Sequence, residues 1–410
     1  MQTPRDDVRE GHRNVHAMLL CAVLTLAVLL AGCGAGQKLH DRRDHGMPVF
    51  DITLDLPRMP LQQQRTGVVS IIAGGDVMLG HWTGEYLERY GADYPFEFIR
   101  PLLLDADIAF ANLEAPFADS GSAVEGKTFT FKVPTRHVSG LVNAGFDVLS
   151  LANNHMLDFG IDGLRQTLSA LGSAGLQHAG AGLDSAAAWR PALLQTPAGT
   201  VAVLAFSMTF PKEFWVTDST GGTAYPHEPS MIRAIEQADR VADYVVVSFH
   251  WGAEKRDTPK DYQIYFAHKA IDAGADLILG HHPHVLQGLE LYRGRLIAYS
   301  LGNLAFSAYS RAAVNSMLLK VVLYPGGLLY AKIHPLNVDN AEVEFQPRLA
   351  GVERHAAIIS HLDTLSRALN SRDVISPAGL IFDLAGGDST ASTAGARSGA
   401  GPKVGAADNK

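Results

Sequence analysis

Five short polar clusters in this chain each close an apolar run: Gly74-Gly75-Asp76, Asn112-Leu113-Glu114, Asn153-Asn154-His155, His250-Trp251-Gly252 and Gly280-His281-His282-Pro283-His284. Carboxylate, amide oxygen and imidazole are donors suited to divalent transition ions, so the ordered set points to a metal-centred hydrolytic site. Taken one at a time, most clusters have an ordinary reading as well. Gly-Gly-Asp is a common turn sequence, although paired glycines also let backbone approach an ion or phosphate closely. Glu114, shortly before Pro116, fits a solvated loop acid, Asn154 a cap or turn, and His250 a hydrogen-bonded core residue. His282 and His284 differ. Imidazoles one residue apart project to the same side of an extended backbone, and Pro283 stiffens the link, so chelation is the better reading there. The ordinary readings together require a metal-competent side chain at one strand end after another by coincidence, and the set as a whole favours the metal.

The elements that must position these residues follow from hydrophobic periodicity. Val68 to Ile72, Ile108 to Ala111, Val148 to Leu151, Val201 to Phe206, Tyr244 to Phe249, Leu277 to Leu279 and Leu296 to Tyr299 read as buried strands. Between them, Ile161, Leu164, Leu168 and Leu171 recur at helical spacing before Gly172, and Met231 to Tyr244 and Asp261 to Ala273 are helix-like, the last stopped by Gly274. Strands alternating with helices predict an α/β domain with at least one largely parallel sheet. In such sheets ligands collect beyond the carboxyl ends of the strands, where all five clusters are expected.

Lys plus Arg total 34 against 42 Asp plus Glu, a formal charge of −8. That balance argues against nucleic acid as a partner. The run Ala17 to Ala31 is apolar except for Thr25 and shorter than the roughly 20 residues of a spanning helix. It closes with Leu30-Ala31-Gly32-Cys33, which resembles a bacterial lipobox. Residues 1–33 are therefore expected to be a signal peptide with Cys33 as the lipidated residue, anchoring the protein to a membrane of the cell envelope, outside the cytoplasm. Arg5, Arg9 and Arg13 are offset by Asp6, Asp7 and Glu10, so an uncleaved anchor is the alternative. Cleavage would remove Cys21 and leave one thiol, which argues against redox chemistry. Residues 34–66 read as a tether, 67–384 as the folded domain, and 385–410, rich in Gly, Ala, Ser and Thr, as a disordered tail.

Several stretches carry a resemblance: Gly75-Asp76-Val77-Met78, Asn112-Leu113-Glu114, Leu151-Ala152-Asn153-Asn154-His155 to Asp158, His250-Trp251-Gly252, Gly280 to Val285, and Tyr299-Ser300-Leu301-Gly302-Asn303. Together, over about Val68 to Val352, they resemble the CapA family of poly-gamma-glutamate capsule synthesis proteins, a branch of the calcineurin-like metallophosphoesterase superfamily. The resemblance implies an α/β fold in four layers, α-β-β-α, with two packed sheets flanked by helices. It also implies one or two divalent transition ions (Mn, Fe or Zn). Residue by residue, it implies Asp76 as the first-metal carboxylate and Glu114 at the position of a bridging aspartate. Asn154 and His250 match ligands of the second ion, His282 and His284 a pair shared between the ions, and His155 the histidine that protonates the leaving oxygen.

Three departures from the superfamily pattern stand out. Met78 occupies a position where a histidine is usual, leaving one metal site a ligand short unless His81 reaches back. The acid normally beside the catalytic histidine is absent and Asp158 stands three residues on, where an orienting role and a first-turn helix acid are both open. Glu replaces Asp at the bridge. Lys132, Lys255 and Arg256 are candidates to receive an anionic substrate, with solvated loop charges the alternative for the last two. Trp251 fits either stacking on substrate or lining the core, and Asn303 either a ligand contact or a turn. The expected function is a lipid-anchored, metal-dependent hydrolase or transferase acting outside the cytoplasm on a phosphoester or an anionic envelope polymer. By resemblance it serves poly-gamma-glutamate or capsule polymer synthesis or export beside other capsule-synthesis proteins. The alternative is a non-catalytic assembly factor that binds polymer.

Overall fold

The computed structural model describes residues 67–382. The expected signal peptide, Cys33, the tether and the tail from 385 onward lie outside them. No helix among the described residues is long and apolar enough to cross a membrane.

Two sheets face each other. In the first, of nine strands, Val69–Met78 lies centrally; Ile108–Leu113, Val148–Ser150 and Gln177–Ala179 continue the sheet in parallel on one side. On its other side stands the antiparallel hairpin Asn315–Tyr324 and Gly327–Asn337. The second, of six strands, has a parallel centre of Gly199–Ser207, Tyr244–His250, Leu277–His281 and Arg295–Ala298, with an antiparallel strand at each edge.

Side-chain alternation along these strands builds the layers. Val69, Ile71, Ala73, Phe110, Val148 and Leu319 of the first sheet meet Val201, Val203, Val246, Leu277 and Leu279 of the second in one inner core. Their neighbours point outward: Ile72, Ala109 and Leu149 pack with Leu141, Leu164 and Leu171 of helices on one side. On the other side Leu204, Val245, Val247 and Ile278 pack with Met231, Ile235, Ala267 and Ile271. Strands buried on both faces therefore read as unbroken apolar runs. Each such buried Val, Leu or Ile contributes about 1.5–3 kcal/mol. The result is the four-layer α-β-β-α sandwich.

Carboxylates set the register at the end of the strands away from the clusters. Asp107 accepts from the Ser70 N–H at 2.8 Å, Asp147 from Ala109 at 2.7 Å, Asp243 from Thr200 at 2.8 Å and Asp276 from Val245 at 3.0 Å. Each satisfies a backbone donor at the start of a neighbouring strand.

Several boundaries differ from expectation. The first strand does not stop before Gly74-Gly75-Asp76 but runs through it to Met78, with its register shifting between Ala73 and Asp76. Such an irregularity re-aims a side chain. A Cβ on Gly75 would lie 1.8 Å from the Gly302 carbonyl oxygen, which accepts from the Asp76 N–H at 3.0 Å, so only glycine admits this approach. Gly172 does not end its helix, which spans Gly160–Ser173. The helix expected over Met231 to Tyr244 begins at Glu228, with Pro229 in its first turn, and ends at Asp239. The helix Asp261–Asp272 ends close to Gly274, at φ 117°. Helix Val352–Asn370 places Ile358, Ile359 and Leu362 in the inner core.

Candidate metal centre

The carboxyl ends of four strands form the rim. Asp76 lies within the first strand, Glu114 directly follows Ile108–Leu113, His250 ends Tyr244–His250, and His281 ends Leu277–His281. Asn154 and His155 sit in the loop after Val148–Ser150. The backbone N–H of Glu114 donates to the Val77 carbonyl at 2.8 Å, tying two of these ends together.

The expected metal-competent side chains converge. His250 Nε2 lies 2.9 Å from Glu114 Oε1 and 2.8 Å from Asn154 Oδ1. His284 Nδ1 lies 3.2 Å from Asp76 Oδ2 and 3.9 Å from Glu114 Oε2. The His282 ring centroid is 4.8 Å from that of His250 and 5.8 Å from that of His284. Two sets, Glu114 with His282 and His284, and Asp76 with Glu114 and His250, each present one donor atom per residue within 4.8 Å of one another. Glu114 belongs to both. The convergence of His282 and His284 does not come from extended backbone: both have positive φ, 92° and 59°, flanking Pro283. Two non-glycine residues held in the left-handed half of φ/ψ space are a strained arrangement that the surrounding fold must enforce.

Side chains not expected among the metal ligands complete the arrangement. Asn112 Nδ2 donates to Asp76 Oδ1 at 2.9 Å and lies 3.2 Å from His250 Nδ1, while Asn153 donates to Asn112 Oδ1 at 3.2 Å. Asn303, paired in register with Asp76, places Oδ1 2.9 Å from His284 Nδ1. His281 is fully buried with Nδ1 3.3 Å from Asp76 Oδ1.

Burial dominates the electrostatics. It is the largest influence on Asp76 and pushes its carboxyl up, but His281 and His284 together override it and hold Asp76 well below the usual carboxylate range. Glu114 goes the other way: burial, then the charge of Asp76, raises it well above. Burial and a neighbouring imidazole depress His250 well below its ordinary value and His282 to about 3. Burial also opposes charge on His284, yet Glu114 and Asp76 win and lift it to about 9.

The residues fit a divalent ion. Both Glu114 oxygens are sealed from solvent without a well-formed hydrogen bond, as are both ring nitrogens of His281 and Nδ1 of His282. Buried polar atoms are ordinarily paired, and two buried carboxylates side by side need a compensating positive charge. Carboxylate, amide and imidazole together are a donor set suited to a divalent metal ion. Met78 is buried and offers no such donor, and His81 is exposed with its ring edge-on to Trp82, 4.1 Å between centroids.

Beside the cluster, Asp158 is fully buried with Oδ2 2.8 Å from His155 Nδ1, which is an orienting geometry. Burial lowers the His155 imidazole and Asp158 partly offsets it. Of the expected cations, Lys132 Nζ lies over the Phe159 ring at 4.7 Å. Lys255 and Arg256 are exposed; the Lys255 N–H donates to the Pro283 carbonyl at 2.8 Å, and Arg256 Nε to the Thr258 carbonyl at 3.0 Å. The cation that reaches the His155 group is Lys127, whose loop carries no periodic signal. Trp251 is fully buried, its ring stacked on Phe249 at 4.5 Å and its Nε1 donating to the Tyr299 carbonyl at 3.0 Å, so it lines the core.

Comparison with known proteins adds a family. Residues 70–308 match the family model described as bacterial capsule synthesis protein PGA_cap. The chain is 34% identical over 277 residues to the PGA biosynthesis protein CapA of Bacillus subtilis, covering 67% of this chain and 73% of that one. It is 32% identical to the capsule biosynthesis protein CapA of Bacillus anthracis, covering 68% and 70%. A probable polyglutamine synthesis accessory protein of Mycobacterium tuberculosis is 31% identical, with 58% and 74% covered.

Proposed function

The chain belongs to the bacterial capsule synthesis protein family PGA_cap, and from that membership we propose that it is an envelope-anchored, metal-dependent hydrolase of phosphoesterase type. Its substrate is a phosphoester or an anionic envelope polymer, and its setting is the synthesis or export of poly-gamma-glutamate or a related capsule polymer. Two of its relatives are named for PGA or capsule biosynthesis. Lipidation at Cys33 would hold it at a membrane outside the cytoplasm.

One observation carries the reading: Glu114, buried and without a well-formed hydrogen bond to either oxygen, stands in both sets of metal-competent side chains. Asp76, Glu114, Asn154, His250, His282 and His284 would hold one or two divalent transition ions, Mn, Fe or Zn, with Glu114 common to both. Bound ions of this kind supply Lewis-acid polarisation of a phosphoryl oxygen and of water. His155, oriented through Nδ1 by Asp158 at 2.8 Å, donates a proton to the leaving oxygen. Asn303 and Asn112 hold His284 and Asp76 in place. The test is metal content and hydrolysis of an aryl phosphoester by the wild type, Glu114→Gln and His282→Ala. Loss of both together in the variants supports the reading, whereas hydrolysis that survives without metal excludes it.

A second reading is favoured by Met78, which leaves the Asp76 side short of an imidazole: a polymer-binding assembly factor without turnover, acting with other capsule-synthesis proteins. A protein with one ion per chain that binds polyglutamate and hydrolyses nothing would establish it.

A further inference from the structure

The loop after Glu114 sends one lysine inward. Lys127 Nζ donates to the Asn154 carbonyl at 2.6 Å and to Asp158 Oδ1, and stands 3.0 Å from His155 Nδ1. Its ammonium also faces the Phe214 ring at 5.3 Å. Three donors and no acceptor make the ammonium a one-way partner. Asp158 is its counterpart: fully buried, it accepts from Lys127 through Oδ1 and from the Phe131 N–H through Oδ2 at 2.8 Å, with the same Oδ2 2.8 Å from His155 Nδ1.

These contacts select a tautomer. An ionised carboxylate only accepts, so the proton between Asp158 and His155 sits on Nδ1. Lys127 cannot donate to a nitrogen that already carries a proton; its closeness to Nδ1 follows from both groups gripping Asp158. The His155 main chain is pinned independently, its N–H donating to Asn153 Oδ1 at 3.0 Å, and the ring leans on Phe131 with centroids 4.9 Å apart. Without the ammonium, one oxygen of a buried carboxylate loses its donor, and Asp158 is free to rotate away from Nδ1.

We propose that Lys127 is a positioning residue for His155: by fixing Asp158 and the Asn154 carbonyl it keeps Nδ1 protonated, so that the neutral ring is the Nδ1–H tautomer, the proton it takes up goes to Nε2, and the imidazolium so formed gives that Nε2 proton to the leaving oxygen. This rests on the reading of His155 as the proton donor. It also fills the gap left by the absent acid beside that histidine, with Asp158 and Lys127 acting together.

Two measurements on the full-length protein test it. In protein labelled with ¹⁵N-histidine, the His155 signals, assigned by their disappearance in His155→Gln, report the tautomer in the purified protein and after Zn²⁺ addition. Wild type and Lys127→Arg should show Nδ1–H, and Lys127→Met a mixture; a His155 signal pair unchanged in Lys127→Met overturns the proposal. If Lys127→Met does not fold, Lys127→Ala, which likewise removes the donor to Asp158 Oδ1 but without a long apolar side chain to bury, takes its place with the same expectation. Kinetically, an acid matters most for poor leaving groups, and positioned acids contribute about 10²–10⁴-fold. Lys127→Met should therefore lose at least about tenfold in kcat on phenyl phosphate, about threefold or less on 4-nitrophenyl phosphate, and leave KM unchanged, with Lys127→Arg restoring most of it. Equal losses on both esters would mark a merely structural ion pair and also overturn it. A wild type that hydrolyses neither ester removes the hydrolase reading, while the tautomer measurement still decides the role of Lys127.

Discussion

Metal binding to this cluster should release protons, and His284 sets the scale. Its imidazole is lifted to about 9 by Glu114 and Asp76 against the opposing effect of burial, so at pH 7 the metal-free ring is a cation and cannot ligate. Displacing that proton at pH 7 spans two pH units, about 2.7 kcal/mol or a hundredfold in affinity. His282, held at about 3, is already neutral and adds no such cost; nor does His250, depressed well below its ordinary value. Glu114, raised by burial and by Asp76, pushes in the same direction as His284. Because the proton leaves as the ion arrives, affinity should rise with pH by about tenfold per unit up to roughly pH 8 from His284 alone and level off above about 9. Calorimetric titration of the metal-free protein with Zn²⁺ at pH 6, 7 and 8, each in two buffers of different ionisation enthalpy, counts the protons directly. At least one per ion is expected at pH 7, and His284→Gln should flatten the slope. An affinity independent of pH, with no buffer-dependent heat, would refute the reasoning.

Other expectations follow from the same contacts. Glu114→Gln and His282→Ala should retain the far-ultraviolet circular dichroism of the wild type while losing bound metal, as read by elemental analysis. Gly75→Ala forces a Cβ to 1.8 Å from the Gly302 carbonyl oxygen and should destabilise by about 3 kcal/mol or unfold the protein; a denaturant midpoint within error of the wild type would contradict that close approach. Cys33→Ser should move the protein from the membrane fraction to the soluble fraction of the producing cell and abolish labelling by a fatty-acid probe; retention with lipid would rule out Cys33 as the anchor.

What the sequence exposed depends on how local each signal is. Doubly buried strands such as Tyr244–His250 announce themselves as unbroken apolar runs, and a polar residue at the end of each run marks the rim, so the members of the cluster were readable one by one. Their mutual distances were not, because Asp76 and His284 come together through tertiary contacts: the pairing of the first strand with Asn303–Phe306 and the His282 N–H that donates to Asp76 Oδ2 at 3.2 Å. The positive φ at His282 and His284 is a tertiary constraint, with no glycine at either position to signal it. Of the hairpin, Gly327–Asn337 mixes buried with exposed residues and passes less clearly as strand, whereas Asn315–Tyr324 is almost wholly buried, and its apolar run, broken only by Lys320, could have been read as one. Lys127 carries no local mark; only the folding of its loop onto the segment Asn154 to Asp158 distinguishes it from Lys132, Lys255 and Arg256. Trp251, adjacent to His250, faces the opposite side of the sheet by strand alternation, which explains its burial beside Phe249. The strand-start carboxylates Asp107, Asp147, Asp243 and Asp276 recur before apolar runs and could have been read as register markers.

The central claim is that Asp76, Glu114, Asn154, His250, His282 and His284 grip a transition ion. Anomalous diffraction at the metal edge from crystals grown after loading with Mn²⁺ or Zn²⁺ tests it most directly. The account predicts one or two peaks within about 2.0–2.2 Å of Glu114, His250 and their neighbours. Loaded crystals with no peak there, or with density only at other surface residues, would contradict it.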